Sequence, residues 1–331
     1  MKLNNSINRD STPNHSEEEP DFCNTSCGRS LNFDEGALRA AHNFAFRVPR
    51  VFSELIHWRD PQDPILLQVM PSALELTTPP GFTADPLEEA QFLKAPGLLV
   101  KYARRVLMRL TGQCPIHCRY CFRRHDTFQD VPTQGDAWRP ALEWIRREPS
   151  IQEVIFSGGD PLMVANDDLL ALTTELQTMG HLKRLRLHTR MPVCSPGRIN
   201  NGFLVWLTEL KLTPIIIIHV NHPNELGREG CAALARLAAA GVTLLNQSVL
   251  LKGVNDSVAV LEALSDILVQ NRVVPYYLHL LDPVAGAAHF RVDEALARSL
   301  LRTLRQRLPG YAVPRLARER PRHPAKEVLE A

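Results

Sequence analysis

Beyond residue 100 the chain repeats one pattern: a short run of apolar and β-branched residues, then a longer stretch with apolar residues three and four apart. The short runs are RVLMRLT (105–111), EVIFSG (153–158), RLRLHT (184–189), PIIIIHV (214–220), TLLNQSVL (243–250) and VPYYLHL (274–280). Each has strand length and strand composition. Between them WRPALEWIRRE, NDDLLALTTELQTM and ELGREGCAALARLAAAG carry the helical period, with Asn166 expected as an N-cap and Gly241 as a stop. Strand then helix, repeated, predicts an α/β fold with a parallel sheet and right-handed crossovers. Six such units suit either part of a barrel or a doubly wound open sheet, and periodicity alone does not choose.

Upstream the pattern changes. Residues 1–30 are polar and acidic with few apolar positions, which predicts a disordered tail. Residues 31–99 hold short helical pieces broken by prolines, such as LRAAHNFAFRVPRVFSELI and DPILLQVM, and predict a helical N-terminal extension. The α/β region then spans 100–290, and 291–331 forms a C-terminal helix with a final polar segment.

With 331 residues and 44% hydrophobic content, the chain can bury a sizeable core. A formal net charge of +2, with basic stretches at 139–147 and 315–322 balanced by acids elsewhere, demands no nucleic acid. No run approaches the roughly 20 apolar residues of a membrane span. The opening residues have no apolar segment behind Lys2, so a cytoplasmic protein without a membrane role is expected.

Seven cysteines at 23, 27, 114, 118, 121, 194 and 231 are too few and too uneven for a disulfide framework. Three of them, Cys114, Cys118 and Cys121, form CxxxCxxC directly after the first strand, where a curling loop can gather three sulfurs onto one cluster. Ferredoxin cubes use four thiolates, so three leave one iron without a protein ligand and open to a cofactor or substrate. A zinc-stabilised binding module, completed by His117 or His125, is the rival reading. Cys194 and Cys231 read as small buried apolar side chains, and Cys23 and Cys27 as tail residues. Around the triplet, Ser157, Asp160, His188, Arg190, His219, Asn221, Asn246, Gln247, His279 and Asp282 fall at or just past strand ends, the face where parallel α/β folds collect their sites.

CPIHCRYCFRR resembles the signature of the radical S-adenosylmethionine superfamily, and FSGGDPL (156–162) resembles the motif by which that superfamily holds the cofactor's amino group. The resemblance implies a partial (β/α)6 barrel in which S-adenosylmethionine chelates the open iron of a 4Fe-4S cluster. It extends further. RVLMRLTGQCPIHCRYCFRRH, HTRMPV, NHPNE, LLNQSVLLKGVND, PYYLHLLDPVAGAAHF and GYAVPRLARE are similar to the lysine 2,3-aminomutase family. That likeness implies an isomerase using pyridoxal 5′-phosphate, with L-lysine as substrate and a reducing electron donor. The short length and GYAVPRLARE resemble the branch that makes (R)-β-lysine for elongation factor P, a functional link to that factor and its lysyl-transferring enzyme. A homo-oligomer is compatible with this reading. An aminomutase of another amino acid, or one serving lysine catabolism, is the nearest alternative.

Residue roles follow from the same resemblance. Lys326 matches the lysine that forms the Schiff base with pyridoxal phosphate, although composition alone reads it as a solvated tail residue. Arg123 matches the clamp for the substrate carboxylate, suited by its planar fork. Asp282 matches one carboxylate for the distal ammonium, and Glu319 stands where longer relatives have a second, an Asp. Lys101, Arg105 and Arg190 are candidates for the cofactor phosphate, Lys101 replacing a family Arg. Ser157, Gly158, Gly159, Asp160 and Gln247 would contact S-adenosylmethionine, the glycines by close backbone approach, and Tyr120 would stack near its adenine.

Overall fold

In the computed structural model, which describes residues 34–129, 131–132 and 135–330, the six β-branched runs lie side by side as parallel strands. They are β3 (Arg105–Thr111), β4 (Glu153–Gly158), β5 (Arg184–Thr189), β6 (Thr213–Ile218), β7 (Thr243–Val249) and β8 (Val274–His279), flanked by a hairpin of β1 (Leu93–Ala95) and β2 (Leu98–Leu99). Two further strands follow, β9 (Arg315–Arg318), parallel to β8, and β10 (Glu327–Val328), antiparallel to β9. The expected tail 1–30, with Cys23 and Cys27, lies outside the described residues.

Spatial order equals chain order from β1 to β10. A doubly wound sheet reverses its order at a switch point; this one never does, so every crossover carries the chain the same way round and the sheet curls toward a barrel. Its two ends meet through side chains: Lys101, ahead of β3, lies 3.3 Å from Glu319, just past β9, and Tyr102 donates a hydrogen bond to the same carboxylate. Among the described residues no ladder joins β3 to β9, so the barrel stays partial.

Strand alternation separates two faces. Val106, Met108, Val154, Phe156, Leu185, Leu187, Ile216 and Ile218 are buried on the outer face beneath helices α4 (Arg139–Arg147), α5 (Asn166–Gln177), α7 (Asn201–Thr208) and α8 (Arg228–Ala239). Each fully buried side chain of this kind stabilises the fold by about 1.5–3 kcal/mol. Leu107, Ile155, Arg186 and His188 face the lumen. Gly241, with φ of +77°, ends α8 as expected, its N–H bonding Ala238 O and that of Val242 bonding Leu237 O. The described residues contain no helix long and apolar enough to cross a membrane.

Two expectations need correction and one needs extending. Asn166 is not the N-cap of α5: Ala165 takes that place and the Asn166 Oδ1 is buried without a hydrogen bond. The extension is not wholly helical, because LKAPGLL turns about Gly97, at φ +69°, into the β1–β2 hairpin. The C-terminal region, expected as a helix and a final segment bearing Lys326, also holds two strands after α10 (Glu294–Arg307) that the sequence pattern did not show, β9 and β10.

Candidate functional site

The lumen opens into a cavity of about 470 Å³ at the C-terminal ends of the parallel strands. Of the strand-end polar residues singled out from the sequence, all but Asn246 line it. Asn246 points to the other face, where its amide pairs with both backbone groups of Val220 and ties β7 to the end of β6.

At one end lie Cys114, Cys118 and Cys121. Their loop is fastened by a fully buried guanidinium: Arg119 makes a two-toothed pair with Glu75 of the extension (2.9 and 2.6 Å) and donates to Phe44 O at 2.7 Å. Arg124 reaches the same Glu75 and Gly286 O. Burial pushes the Cys121 thiol up to about 11, with Cys118 beside it adding to the rise, and moves Cys114 in the same direction. Cationic irons would reverse that direction by favouring thiolates. No three His, Cys, Asp or Glu side chains among the described residues are grouped for a single metal ion. His117 and His125, the candidates to complete a zinc site, use ring nitrogens on Ala45 O and Ala285 O. Cys194 is buried, and Cys231 packs half-buried against the core.

Arg190 belongs to this end and not with the proposed phosphate ligands. Its guanidinium pairs with Glu225 at 2.7 Å and donates to Gln68 Oε1, the Tyr120 hydroxyl and Cys118 Sγ. Among the described hydrogen bonds it shares no partner with Lys101 or Arg105. The Tyr120 hydroxyl accepts a further hydrogen bond from Asn221 at 2.7 Å, and its ring meets Phe290 edge-on, so it is fixed within this network.

The Ser157–Asp160 turn sits against the cysteine loop. A Cβ on Gly158 (φ +126°) would fall 2.4 Å from Thr111 O, and one on Gly159 2.1 Å from Gln113 O. The close approach expected of these glycines is thus backbone on backbone, and it locks the turn to the segment that starts the cysteine loop. Asp160 is likewise a local anchor: its carboxylate accepts from Leu162 N, Thr189 Oγ and Arg190 N. Nearby, Gln247 lines the cavity, and His188 is held neutral by burial and by Arg186, with an Nε2 that has no partner among the described residues. The turn, Gln247 and that nitrogen fit an amino-acid-bearing nucleoside such as S-adenosylmethionine.

The opposite end is assembled by the β9–β10 hairpin. Pairing Arg318 with Glu327 sets Glu319 and Lys326 one step beyond the ladder, 3.3 Å apart. The Lys326 side chain is only 17% exposed. Its Nζ lies over the Tyr277 ring and 3.1 Å from His279 Nε2. Burial lowers the Lys326 pKa, and Glu319 opposes that shift. His279 is kept neutral by burial and by the lysine. Glu319 also holds Lys101 and accepts from Tyr102. Asp282 feels burial first and Glu319 second, which raise its carboxyl to about 7. Arg105 stacks on Tyr102 at 4.5 Å, and no hydrogen bond among the described residues uses its guanidinium. A lysine held below its ordinary pKa, with two cations and free guanidinium donors at the same end, fits an aldehyde-bearing phosphate such as pyridoxal phosphate.

Between the ends stands Arg123. Its Nε and one terminal nitrogen grip both oxygens of Glu89 (2.8 and 2.7 Å), and the other terminal nitrogen donates to Gly158 O at 2.9 Å and Ser157 Oγ at 3.3 Å. Sequence reasoning passed over Glu89, Tyr102 and Arg186. Nothing in DPLEEA, KYARR or RLRLHT marks these residues, because each matters through a partner far away in the chain.

Three cysteines in the loop after the first parallel strand and a buried lysine thus face one cavity from opposite ends. Similarity to known proteins assigns the family. The family model described as a 4Fe-4S single cluster domain matches residues 103–189. L-lysine 2,3-aminomutase of Haemophilus influenzae is 47% identical over 86% of this chain and 84% of its own, and that of Escherichia coli 44% over 91% and 90%. The enzyme of the same name from Clostridium subterminale is 36% identical over 85% of this chain and 68% of its own. A radical SAM methyltransferase from Sphaerobacter thermophilus aligns over 67% of this chain and 68% of its own, with 19% identity and a TM-score of 0.48. The chain belongs to the radical S-adenosylmethionine L-lysine 2,3-aminomutase family, isomerases that work with a 4Fe-4S cluster, S-adenosylmethionine and pyridoxal phosphate.

Proposed function

We propose that the protein converts free L-lysine to (R)-β-lysine by a 2,3-amino shift, for attachment to elongation factor P, as in the EpmB branch of the family. One observation carries the choice of lysine: Asp282 and Glu319 face the same end of the cavity as Lys326, a placement that favours a cationic side chain and disfavours an anionic one such as glutamate. Bound S-adenosylmethionine supplies a carbon radical there, and pyridoxal phosphate supplies an aldehyde and a π-system.

The chain's own residues bind and orient. Cys114, Cys118 and Cys121 hold the cluster. The Ser157–Gly159 backbone and Gln247 receive the sulfonium cofactor, and Lys101 and Arg105 receive the phosphate. Arg123 holds the substrate carboxylate. Lys326 would engage the aldehyde of the bound cofactor, and Glu319 and Asp282, at the same end of the cavity, would receive the distal ammonium of lysine. The wall of Leu107, Ile155 and Val249 keeps water from the radical.

The branch assignment rests on GYAVPRLARE at 310–319 and on similarity along most of the chain. The test is anaerobic reconstitution with iron, sulfide, S-adenosylmethionine, pyridoxal phosphate and a reductant, then chiral mass-spectrometric analysis of products from a panel of amino acids. (R)-β-lysine from lysine is the expected product; no β-lysine overturns the proposal.

A further inference from the structure

We propose that Glu89 is a specificity gate: its carboxylate occupies the fork of Arg123, so a ligand must bring a carboxylate of its own to displace it, and free amino acids are accepted where lysine within a polypeptide is not. The inference rests on the function proposed above, which takes free lysine, and adds to it the residue that excludes the polypeptide-bound form.

Donor accounting supports it. Arg123 has five N–H groups. Two go to Glu89, and two more serve Ser157 and Gly158. One remains, which is too few for bidentate capture of a second carboxylate. The Ser157 and Gly158 bonds fix the guanidinium to β4, so the Glu89 edge is the only one that can be vacated.

Glu89 is also suited to leave. It rides on a strap, residues 81–92, pinned at one end where Thr83 bridges Val284 and exchanges backbone hydrogen bonds with Pro283 and Ala285 (2.9 and 2.8 Å). At the other end β1 enters the sheet. Between those points the strap turns through Glu88, at φ +50°, and touches the cavity with Leu87, Glu89 and Phe92. Exchanging one carboxylate for another on Arg123 keeps the buried cation paired throughout, whereas an amide would leave it uncompensated, which is strongly unfavourable. A lysine residue in a polypeptide has only an amide to offer at that position.

The test uses reconstituted holoenzyme. Glu89→Gln is expected to lower the KM for lysine by about fivefold or more, because the competing carboxylate is gone, with kcat within about twofold of wild type. A raised KM, or a loss in kcat alone, overturns the gate and makes Glu89 a support for Arg123. Hydrogen exchange on the wild type decides independently of how the variant folds. Saturating L-lysine should speed exchange in 87–92 while lysinamide, which lacks the carboxylate, leaves it unchanged; equal effects overturn the gate. If lysine yields no β-lysine, the functional proposal falls by itself. Exchange with the twenty amino acids then judges Glu89 alone, since the α-carboxylate is common to all, and no response at 87–92 to any of them overturns it.

Discussion

At the sulfur end of the cavity, Arg190 is bonded to Glu225, Gln68, Tyr120 and Cys118, and Arg119 to Glu75 and backbone carbonyls. At the lysine end, Glu319 is shared among Lys101, Lys326 and Tyr102, and Asp282 is half-neutralised by burial. The first arrangement is bonded many times over by the protein itself, though Arg190 Nε and the nearby Arg124 Nε keep no partner among the described residues. The second is a set of charges that answer one another and can be re-paired by a ligand. Ridding the first of motion suits a metal cluster that must not shift, and re-pairing suits a site whose lysine must change partners in every turnover.

The largest effects should separate the two ends cleanly. Cys118→Ala is expected to abolish turnover together with the brown colour and iron content, whereas Lys326→Ala should abolish turnover and leave both intact. Iron loss in the lysine variant would erase the distinction. Next in size, Glu75→Gln weakens the pairing of two buried guanidinium groups and should destabilise the fold by about 3–5 kcal/mol in urea titration. A smaller value would mean that the cysteine loop is fastened by something other than Glu75. Gly159→Ala sets a methyl against Gln113 O and should destabilise by about 1–3 kcal/mol while reducing cluster occupancy, because the turn and the cysteine loop move together.

The smallest effect is at the re-pairable end and is read by pH. Asp282 titrates near 7 in the folded protein against an ordinary 3.8, so between those values the folded state holds a proton that the unfolded chain has released. Stability therefore falls as pH rises from about 4 to 7 through this group, and Asp282→Asn should gain on wild type across that window and no further above it. For a cationic substrate, kcat/KM should rise as pH passes about 7, when Asp282 ionises among Glu319, Lys326, Lys101 and Glu89. Asp282→Asn should flatten that limb and raise the lysine KM by about tenfold. An unchanged profile would remove the argument for lysine.

Legibility follows the same division. The sulfur end is written locally: three cysteines within eight residues, behind the apolar run RVLMRLT, mark a metal site by spacing, though spacing left zinc as a rival to the iron cluster. The six parallel strands were equally readable because short apolar or β-branched runs recur between helical stretches, even where, as in RLRLHT, every second side chain turns into the lumen. Arg190 could be placed at a strand end but not assigned its partners, since these come from α3 (Pro64–Val69), the cysteine loop and the loop after β6, all far off in sequence. Lys326 was invisible to composition, since it ends RPRHPAK, a basic stretch broken by prolines that announces no burial. Only the two-residue strand that follows turns it inward, and a strand so short has no periodicity to detect. Glu89 had no signal, because its meaning depends on Arg123, which is thirty-four residues away.

That same two-residue strand bears on how the protein fails. β10 holds the edge of the sheet by two ladder pairs, the Leu329 N–H to Leu316 O bond, the burial of one leucine and the part-exposed, hence weak, pairs of Glu327 with Arg318 and Arg320. An edge so lightly fastened opens far below the free energy of global unfolding. The reactive amine can therefore swing out to solvent while the barrel and its cluster stay whole. In mild denaturant or modest heat, catalysis then disappears first, in a protein that is still folded, still brown, and able to recover by closing one hairpin.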